Sequence, residues 1–248
     1  MKPLVTAHTG CENTCPNSIA SFLEAVSAGA DFAELDIRAT IDRTIVLSHD
    51  DDWLLAEQNP PASAKNPGVQ KIPISKTSFS KLEGITQLEE IIAAAGDKEI
   101  SLNLDIKDFS CIDTVFALLK KFSFLGRAVF SGFTFSQVKE LKKIYPVAGF
   151  MVNISADFTP AETLSLFNLD RDKFVDQLTE IYRGSGGICL NINHEYSPPE
   201  IIEDLRKRFV PVSVWTIDNE NLIDQYSRSD AYSITTSKVR RLVKALNR

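Results

Sequence analysis

A short segment near the N-terminus carries several residues that could do acid–base or metal chemistry. Residues 30–53 read ADFAELDIRATIDRTIVLSHDDDW and include Glu34, Asp36, His49 and Asp50. Side chains two apart on a β-strand point to the same face, so Glu34 and Asp36 share a side. Two carboxylates held side by side repel each other unless a cation lies between them. The segment therefore predicts a cation site.

A later segment supplies further groups of this kind. In SLNLDIKD, residues Asn103, Asp105 and Lys107 alternate with apolar residues, so their side chains share one face. A buried carboxylate and lysine are costly unless they are paired or bind a metal. An Asp105–Lys107 ion pair is one interpretation, but one lysine cannot neutralise three converging carboxylates. We therefore expect Glu34, Asp36 and Asp105 to bind a hard divalent cation, Mg²⁺ or Ca²⁺.

Two of the three histidines of the chain fall beside these carboxylates. His8 ends the first apolar segment, and His49 ends a segment that returns next to Glu34 and Asp36. Imidazoles beside a carboxylate cluster can act as general acid and general base near neutral pH. Together with Lys107 and a cation, they suit a substrate with phosphate oxygens. Residue types and spacing thus indicate a metal-assisted reaction of a phosphate ester or diester, without saying which.

Short apolar segments alternate with amphipathic helical patterns along most of the chain. We predict eight strands, over residues 3–7, 31–37, 99–106, 127–132, 147–152, 186–192, 210–216 and 230–235. Helical patterns with apolar residues every three or four positions cover residues 16–30, 111–122, 135–145, 171–184 and 198–209. This alternation predicts an α/β fold, a TIM (β/α)8 barrel, whose site lies at the carboxyl ends of the strands.

The apolar segment at residues 44–49 would be a ninth strand. It follows the second strand after only TIDR, which is too short for a parallel crossover and suits a hairpin. We expect an antiparallel return above the barrel rim. Residues 51–80 then form an irregular insertion loop, rich in Pro, Ser, Asn and Lys, at the C-terminal rim. A lid or specificity loop is one interpretation, and a disordered surface insertion is the other.

The composition fits a single soluble globular domain over residues 1–248. The net charge of −6 argues against a nucleic-acid surface or an anionic membrane. No apolar run approaches the ~18 residues of a membrane span. The apolar stretch at the N-terminus is too short for a signal peptide, which favours a cytoplasmic location. The oligomeric state is not predicted.

The four cysteines do not predict a disulfide framework or a common zinc site. Cys11 and Cys15 are four residues apart, and Cys111 and Cys189 stand alone. A redox or metal role is one interpretation. We favour the other, in which they are small buried residues.

The order of these motifs resembles that of the glycerophosphodiester phosphodiesterase family, within the phospholipase-C-like phosphodiesterases. VTAHTG is similar to the opening His-Arg-Gly strand of the family, and GADFAELDIRATIDRTIVLSHDD follows its Glu-Leu-Asp-Val and His-Asp motifs. LNLDIK stands where the family has Glu-x-Lys, and VPVSVWTIDNE resembles its Val-x-Val-Trp-Thr-Val-Asn strand. The resemblance covers most of the chain.

The resemblance implies a TIM barrel that hydrolyses glycerophosphodiesters to an alcohol and glycerol 3-phosphate with a divalent cation. Carried over by position, it implies an acid–base pair, three metal ligands and three substrate-binding positions: His8 and His49; Glu34, Asp36 and Asp105; Lys107, Trp215 and Thr9. Thr9 replaces an arginine of the family, so one strong phosphate contact is missing. Asp105 replaces the usual glutamate, and Thr236 stands where the family usually has an acid. These departures bear on the substrate more than on the reaction class.

Two alternative functions remain open at this point. The first is a phosphodiesterase that acts on a lysophospholipid or phosphoinositide, with Trp53, Leu54 and Leu55 meeting the lipid chain. We favour the interpretation in which these three residues pack the insertion onto the barrel. The second alternative is a non-catalytic phosphoester-binding barrel, which the missing arginine favours and the retained histidines oppose.

Overall fold

Eight parallel strands surround the central axis of the barrel. The computed structural model describes residues 2–56, 69–154 and 170–247. In chain order the strands are β1 (Leu4–Ala7), β2 (Phe32–Ala39), β3 (Ile45–Leu47), β4 (Asp52–Ala56), β5 (Val69–Pro73), β6 (Ser101–Ile106), β7 (Ala128–Phe133), β8 (Gly149–Asn153), β9 (Cys189–Asn193), β10 (Val212–Trp215) and β11 (Ser233–Thr236). The helices are α1 (Ile19–Ala28), α2 (Leu88–Ala95), α3 (Ile112–Lys121), α4 (Phe135–Ile144), α5 (Arg171–Ser185), α6 (Pro199–Lys207), α7 (Glu220–Tyr226) and α8 (Val239–Ala245).

The barrel closes because β1 pairs in parallel with both β11 and β2. β1 meets only the first part of β2, where Thr6 lies opposite Phe32 and Ala7 opposite Ala33. The longer β2 continues beyond the end of β1, and there the antiparallel strand β3 pairs with it. The predicted TIM barrel with a hairpin strand above its rim is confirmed.

All eight predicted barrel strands are present, and their ends differ from the prediction by at most three residues. The five predicted helices are α1, α3, α4, α5 and α6. Helices α2, α7 and α8 were not predicted, and they have only 8, 7 and 7 residues. Two helical turns offer too few apolar repeats to set a helical period apart from a loop.

Apolar residues of the strands and helices form one continuous core between the barrel wall and the surrounding helices. On β6, Leu102 and Leu104 belong to this core, while the alternating residues Asn103 and Asp105 line a cavity inside the barrel. The same alternation on β2 buries Leu35 in the core. Because side chains alternate along a strand, each buried apolar residue fixes its polar neighbours toward the barrel axis.

The start of α1 holds the loop between β1 and the helix close to the rim. Ser18 is the N-cap, and its side chain accepts a hydrogen bond from the Ser21 backbone N–H. The helix ends at Gly29, which adopts a left-handed conformation with φ of 83°. Asn17, the residue before the cap, lies beside β2, where its side chain contacts Asp36.

The insertion at residues 51–80 is more regular than predicted. Its ends form an antiparallel pair, β4 with β5, followed by 3₁₀ turns at Ile74–Lys76 and Phe79–Lys81. The prediction of an irregular loop is therefore wrong for these parts, and residues 57–68 lie outside the described residues. The two strands carry no uniform alternation, so their pairing gives no period-2 signal.

The apolar residues of β4 do not share one environment. Trp53 packs with Ile72 against a second, smaller hydrophobic cluster, and its Nε1 donates to the Glu83 carbonyl at 3.2 Å. Leu54 is 59% exposed. The packing interpretation therefore holds for Trp53 and not for Leu54, while the side chain of Leu55 is outside the description.

Three cysteines, Cys11, Cys111 and Cys189, are buried free thiols, whereas Cys15 is exposed. Burial raises the pKa of Cys11 to about 11 and that of Cys189 to about 12. The small-buried-residue interpretation is therefore wrong for Cys15.

Across the described helices, none combines the length and the apolar character that crossing a bilayer requires.

Candidate active site

A cavity of about 470 Å³ opens where the barrel strands end. Seven of the eight predicted site residues line it: His8, Glu34, Asp36, His49, Asp105, Lys107 and Trp215. Further polar residues in its wall are Asn103, Ser131, Asn153, Asn191, Thr216 and Thr235. Strands from around the whole barrel therefore contribute to one site.

Three carboxylates meet in this cavity. Glu34, Asp36 and Asp105 each offer an oxygen, and these oxygens lie within 4.8 Å of one another. The register of β2 and β6 explains the meeting, because Asp36 lies directly opposite Asp105 on the neighbouring strand. Among the described residues, no other group of acids, histidines or cysteines is arranged to hold a metal ion.

The electrostatics of the three carboxylates favour a bound cation. Burial raises the pKa of Glu34 well above its usual range, and repulsion from Asp36 and Asp105 raises it further. All three donors are oxygens, which are the ligands that Mg²⁺ and Ca²⁺ prefer. The donor set therefore fits a hard divalent cation.

Lys107 neutralises part of this charge. Its Nζ lies 2.5 Å from Asp105 Oδ2 and 3.0 Å from Asp36 Oδ1. Burial alone would lower the pKa of Lys107, but the two carboxylates outweigh burial and the pKa lies above its ordinary value. The lysine stays charged and faces the cavity, where a phosphoryl oxygen can compete with the carboxylates for its N–H groups.

Two of the three carboxylates, Asp36 and Asp105, accept hydrogen bonds from residues that were not among the predicted site residues. Ser131 Oγ donates to Asp105 Oδ1 at 2.9 Å. Asn17 Nδ2 donates to Asp36 Oδ2 at 2.8 Å, and the Asp36 backbone N–H donates to Asn17 Oδ1 at 3.1 Å. The Asn17-Ser18 pair just before the first helix was the available signal in the sequence.

The position of Thr9 differs from the prediction. Thr9 is buried and does not line the cavity, because its Oγ1 accepts a hydrogen bond from the Asn17 backbone N–H at 2.6 Å. Its own backbone N–H donates to Glu34 Oε2 at 3.0 Å. In this position Thr9 holds the Glu34 carboxylate from outside the cavity lining.

Asn17 gives the first testable prediction. Asn17→Ala removes the amide that holds Asp36, so the Asp36 side chain can rotate. We expect a 10- to 100-fold loss of Mg²⁺ affinity, roughly the usual cost of losing a residue that orients a metal ligand. The matched control is the adjacent cap variant Ser18→Ala, which should cost about 1 kcal/mol of stability and leave Mg²⁺ affinity unchanged. Calorimetric titration of both variants with Mg²⁺ measures the difference, and equal affinities would contradict the role of Asn17.

Gly132 leaves the space that Asp105 needs. It lies in β7 with φ of +90°, and a Cβ there would be 2.9 Å from Asp105 Oδ1 and 2.6 Å from the Ile106 carbonyl oxygen. Its backbone N–H donates to Asn153 Oδ1 at 3.1 Å. No side chain larger than hydrogen is compatible with this approach of β6 and β7.

The two cavity histidines have the same pattern of hydrogen bonding. His8 Nδ1 lies 2.9 Å from the Thr9 carbonyl oxygen, and His49 Nδ1 lies 2.8 Å from Asp50 Oδ1. Both partners can only accept, so each neutral imidazole carries its proton on Nδ1 and has a free lone pair on Nε2. The hydrogen bond from His49 lowers the pKa of Asp50. Each ring is therefore oriented to exchange a proton through Nε2.

The third histidine lies outside the cavity. His194 belongs to the 3₁₀ turn His194–Tyr196, and its Nδ1 is 3.4 Å from the Trp215 carbonyl oxygen. It is not among the cavity residues. Its position beyond β9 therefore makes it a residue of the loop rather than of the cavity wall.

A model of the glycerophosphoryl diester phosphodiesterase family matches residues 8–241. The chain belongs to this family. As a family member it is 24% identical over 268 residues to a glycerophosphodiester phosphodiesterase of Caldanaerobacter subterraneus subsp. tengcongensis, with 98% of this chain and 97% of that protein covered.

Solved structures from the glycerophosphodiester phosphodiesterases share its fold. The Thermotoga maritima glycerophosphodiester phosphodiesterase superposes with a TM-score of 0.72 at 22% identity, covering 98% of each chain. An Oleispira antarctica phosphodiesterase in complex with sn-glycerol-3-phosphate superposes with a TM-score of 0.73 at 18% identity, covering 100% of this chain and 98% of that one. These superpositions show that the chain has the same barrel fold as these proteins.

Proposed function

We propose that this family member hydrolyses glycerophosphodiesters to an alcohol and glycerol 3-phosphate with the help of a divalent cation. The observation that carries the proposal is the convergence of two oriented histidines, three carboxylates and a lysine on one cavity. Family membership supplies the class of substrate. The product found in the Oleispira antarctica phosphodiesterase is of the same class.

The proton transfers fall to His8 and His49. One imidazole Nε2 takes the proton of the attacking hydroxyl as its oxygen bonds to phosphorus, and the other histidine protonates the leaving alcohol oxygen as its P–O bond breaks. The attacking group is either water or the neighbouring glycerol hydroxyl. In the second case a cyclic phosphate forms, and water then opens it. Both routes consume one water and give the same products.

Glu34, Asp36 and Asp105 would hold the cation, with Mg²⁺ and Ca²⁺ the two candidates. When bound, such an ion neutralises charge on the phosphoryl oxygens and raises the electrophilicity of phosphorus. Lys107 adds a fixed positive charge at the same wall of the cavity. It binds and orients the phosphoryl group beside the two histidines.

The test is release of glycerol 3-phosphate from glycerophosphocholine and glycerophosphoethanolamine. The protein is treated with EDTA and then assayed with Mg²⁺ or Ca²⁺ added back. Metal-dependent release of glycerol 3-phosphate is the expected result. The proposal would be refuted if neither ion gave release of glycerol 3-phosphate from either substrate.

A lipid substrate is the second candidate, and one observation favours it. Leu54, on the strand after His49, is 59% exposed. Activity on lysophospholipid vesicles without activity on glycerophosphocholine would select this alternative. Binding of phosphoesters with no turnover of either substrate would select the non-catalytic one.

A further inference from the structure

The turns that lead into four strands of the barrel are strongly basic. Residues 120–127, 142–148, 183–188 and 206–211 include these turns and the helix ends before them, and they precede β7, β8, β9 and β10. They contain nine lysines and arginines and no acid, whereas the whole chain has 27 lysines and arginines and 33 acids. The net charge of −6 is therefore unevenly distributed. We call the surface formed by these four ranges the basic face.

The basic face lies on one side of the barrel and at the end opposite the cavity. β7, β8, β9 and β10 are consecutive neighbours in the sheet. Because the barrel strands are parallel, the turns that lead into them lie at their amino ends, whereas the cavity opens at the carboxyl ends. On the other side, α1 and α2 have no basic residue in their last turns, and the turn before β6 carries Asp97 and Glu99. Helix dipoles favour cations at every helix end, so they do not explain a one-sided distribution.

Four cations of the basic face keep a charge that no acid neutralises. Lys120, Arg127, Lys142 and Arg183 form no ion pair within the described ranges, while the other five pair with acids outside the face. Arg127 and Lys142 donate to main-chain carbonyl oxygens, which carry no net charge. Lys120 and Arg183 are exposed. The face therefore offers positive charge to an anionic partner.

The three most exposed large apolar side chains among the described residues lie on this same face. Phe209 and Val147 are each 88% exposed, and Ile144 is 65% exposed. Phe209 also follows the end of α6 with φ of 61°, a conformation that favours glycine or asparagine. Neither core packing nor helix termination explains a phenylalanine there. Exposed apolar side chains among cations are typical of proteins that bind the surface of an anionic bilayer.

A cavity of about 430 Å³ lies beside Phe209 at this end of the barrel. Leu4 and other apolar residues line much of it. Arg206 and Asp230 in its wall neutralise each other, with 2.7 Å between Arg206 Nε and Asp230 Oδ2, so Lys2 supplies its net charge. Apolar walls beside a cation suit an amphipathic anion such as a phospholipid.

We propose that the basic face is a docking surface for an anionic phospholipid bilayer. Phe209, Val147 and Ile144 enter the headgroup region, and the unpaired cations neutralise lipid phosphates. A second copy of the chain fits less well, because two basic faces would repel each other. The cavity then opens toward water, since strands of six residues, such as β6 and β7, separate the two ends by ~20 Å. Docking in this orientation does not depend on the proposed reaction.

Co-sedimentation with vesicles tests the docking. The full chain is mixed with vesicles of phosphatidylcholine, or of equimolar phosphatidylcholine and phosphatidylglycerol, at low and at high ionic strength. We expect binding to the anionic vesicles at low ionic strength and loss of this binding as salt screens the charges. Little binding to the neutral vesicles is expected. Equal binding to both kinds of vesicle, or binding to neither, would overturn the proposal.

Phe209→Asn isolates the apolar contribution. Asparagine adopts the left-handed conformation readily, so the melting temperature should not fall. Affinity for the anionic vesicles should fall about 10- to 100-fold, the cost of leaving one phenylalanine side chain unburied. Ile41→Asn is the matched control, because Ile41 is 59% exposed in the turn between β2 and β3, and its affinity should not change. Unchanged affinity of Phe209→Asn would also overturn the proposal.

Lys120→Glu tests the charge, and it should weaken binding to the anionic vesicles about 10-fold. Lys81→Glu reverses an exposed lysine outside the basic face and should bind as the unmodified protein does. Sedimentation velocity without lipid covers the second copy, since dimers that Phe209→Asn dissociates would assign the face to self-association and refute docking. Glycerol 3-phosphate release from glycerophosphocholine should be equal in Phe209→Asn and the unmodified protein. Its absence from both would refute the proposed function and leave the vesicle result standing.

Discussion

Replacement of His49 by alanine is expected to lower kcat for glycerophosphocholine hydrolysis by about 10²–10⁴-fold, the usual contribution of a positioned general acid or base. His8→Ala should have an effect of the same order. The reason is geometric, because both imidazoles reach the cavity with Nε2 free and Nδ1 held by an acceptor. Steady-state release of glycerol 3-phosphate measures the loss.

The choice of leaving group shows which histidine is the general acid and which is the general base. A nitrophenyl ester of glycerol phosphate releases a stable anion, so its departure needs no proton from the enzyme. The variant that lacks the general acid should therefore recover most of its activity on this ester, and the variant that lacks the base should not. His194→Ala, with its histidine outside the cavity, is the control and should keep most of its activity. Full activity of both His8→Ala and His49→Ala would exclude acid–base catalysis by this pair.

Glu34→Gln is expected to abolish the response of the protein to Mg²⁺. A ligand present at 100 times its Kd stabilises the native state by ~2.7 kcal/mol, which for a chain of this length raises Tm by about 5–10 °C. The variant loses one of three carboxylates and should lose most of this rise. Its kcat/KM should fall by about 10²-fold or more, since a Lewis acid contributes several kcal/mol.

The metal-free form of Glu34→Gln gives an independent readout. The neutral side chain keeps an oxygen to accept from the Thr9 backbone N–H and no longer repels Asp36 and Asp105. Its Tm without metal should equal or exceed that of the unmodified protein. Asp52→Asn, which changes an exposed acid outside the cavity, is the control and should keep the Mg²⁺-induced rise. A rise of normal size in Glu34→Gln would contradict a cation site at these carboxylates.

The sequence predicts the barrel because alternation of strand and helix patterns persists over nearly the whole chain. It predicts the carboxylate cluster because Glu34 and Asp36 on one strand and Asp105 on another each follow the period of two. These signals are local, and the closed barrel converts them into one site.

Contacts between different elements could not be predicted in the same way. Ser131 reaches Asp105 only because β7 lies beside β6 in a particular register. Asn17 reaches Asp36 because the loop before α1 folds over β2. Thr9 was placed in the site by its position after His8, but the direction of its side chain depends on this same loop. The pattern of residues within one element carries no information on its contacts with other elements.

The double pairing of β2 places the carboxylates and His49 in different parts of the sheet. Glu34 and Asp36 lie on the portion of β2 that β6 also holds, inside a closed ring of strands. His49 follows β3, a three-residue strand that pairs with the end of β2 outside that ring. The Ser48 backbone N–H also donates to the Asp36 carbonyl oxygen, so the hairpin that carries His49 is attached directly to the strand that carries two of the carboxylates. A change in the length of the hairpin would therefore shift His49 relative to the carboxylates, while the closed ring of strands still holds the carboxylates together.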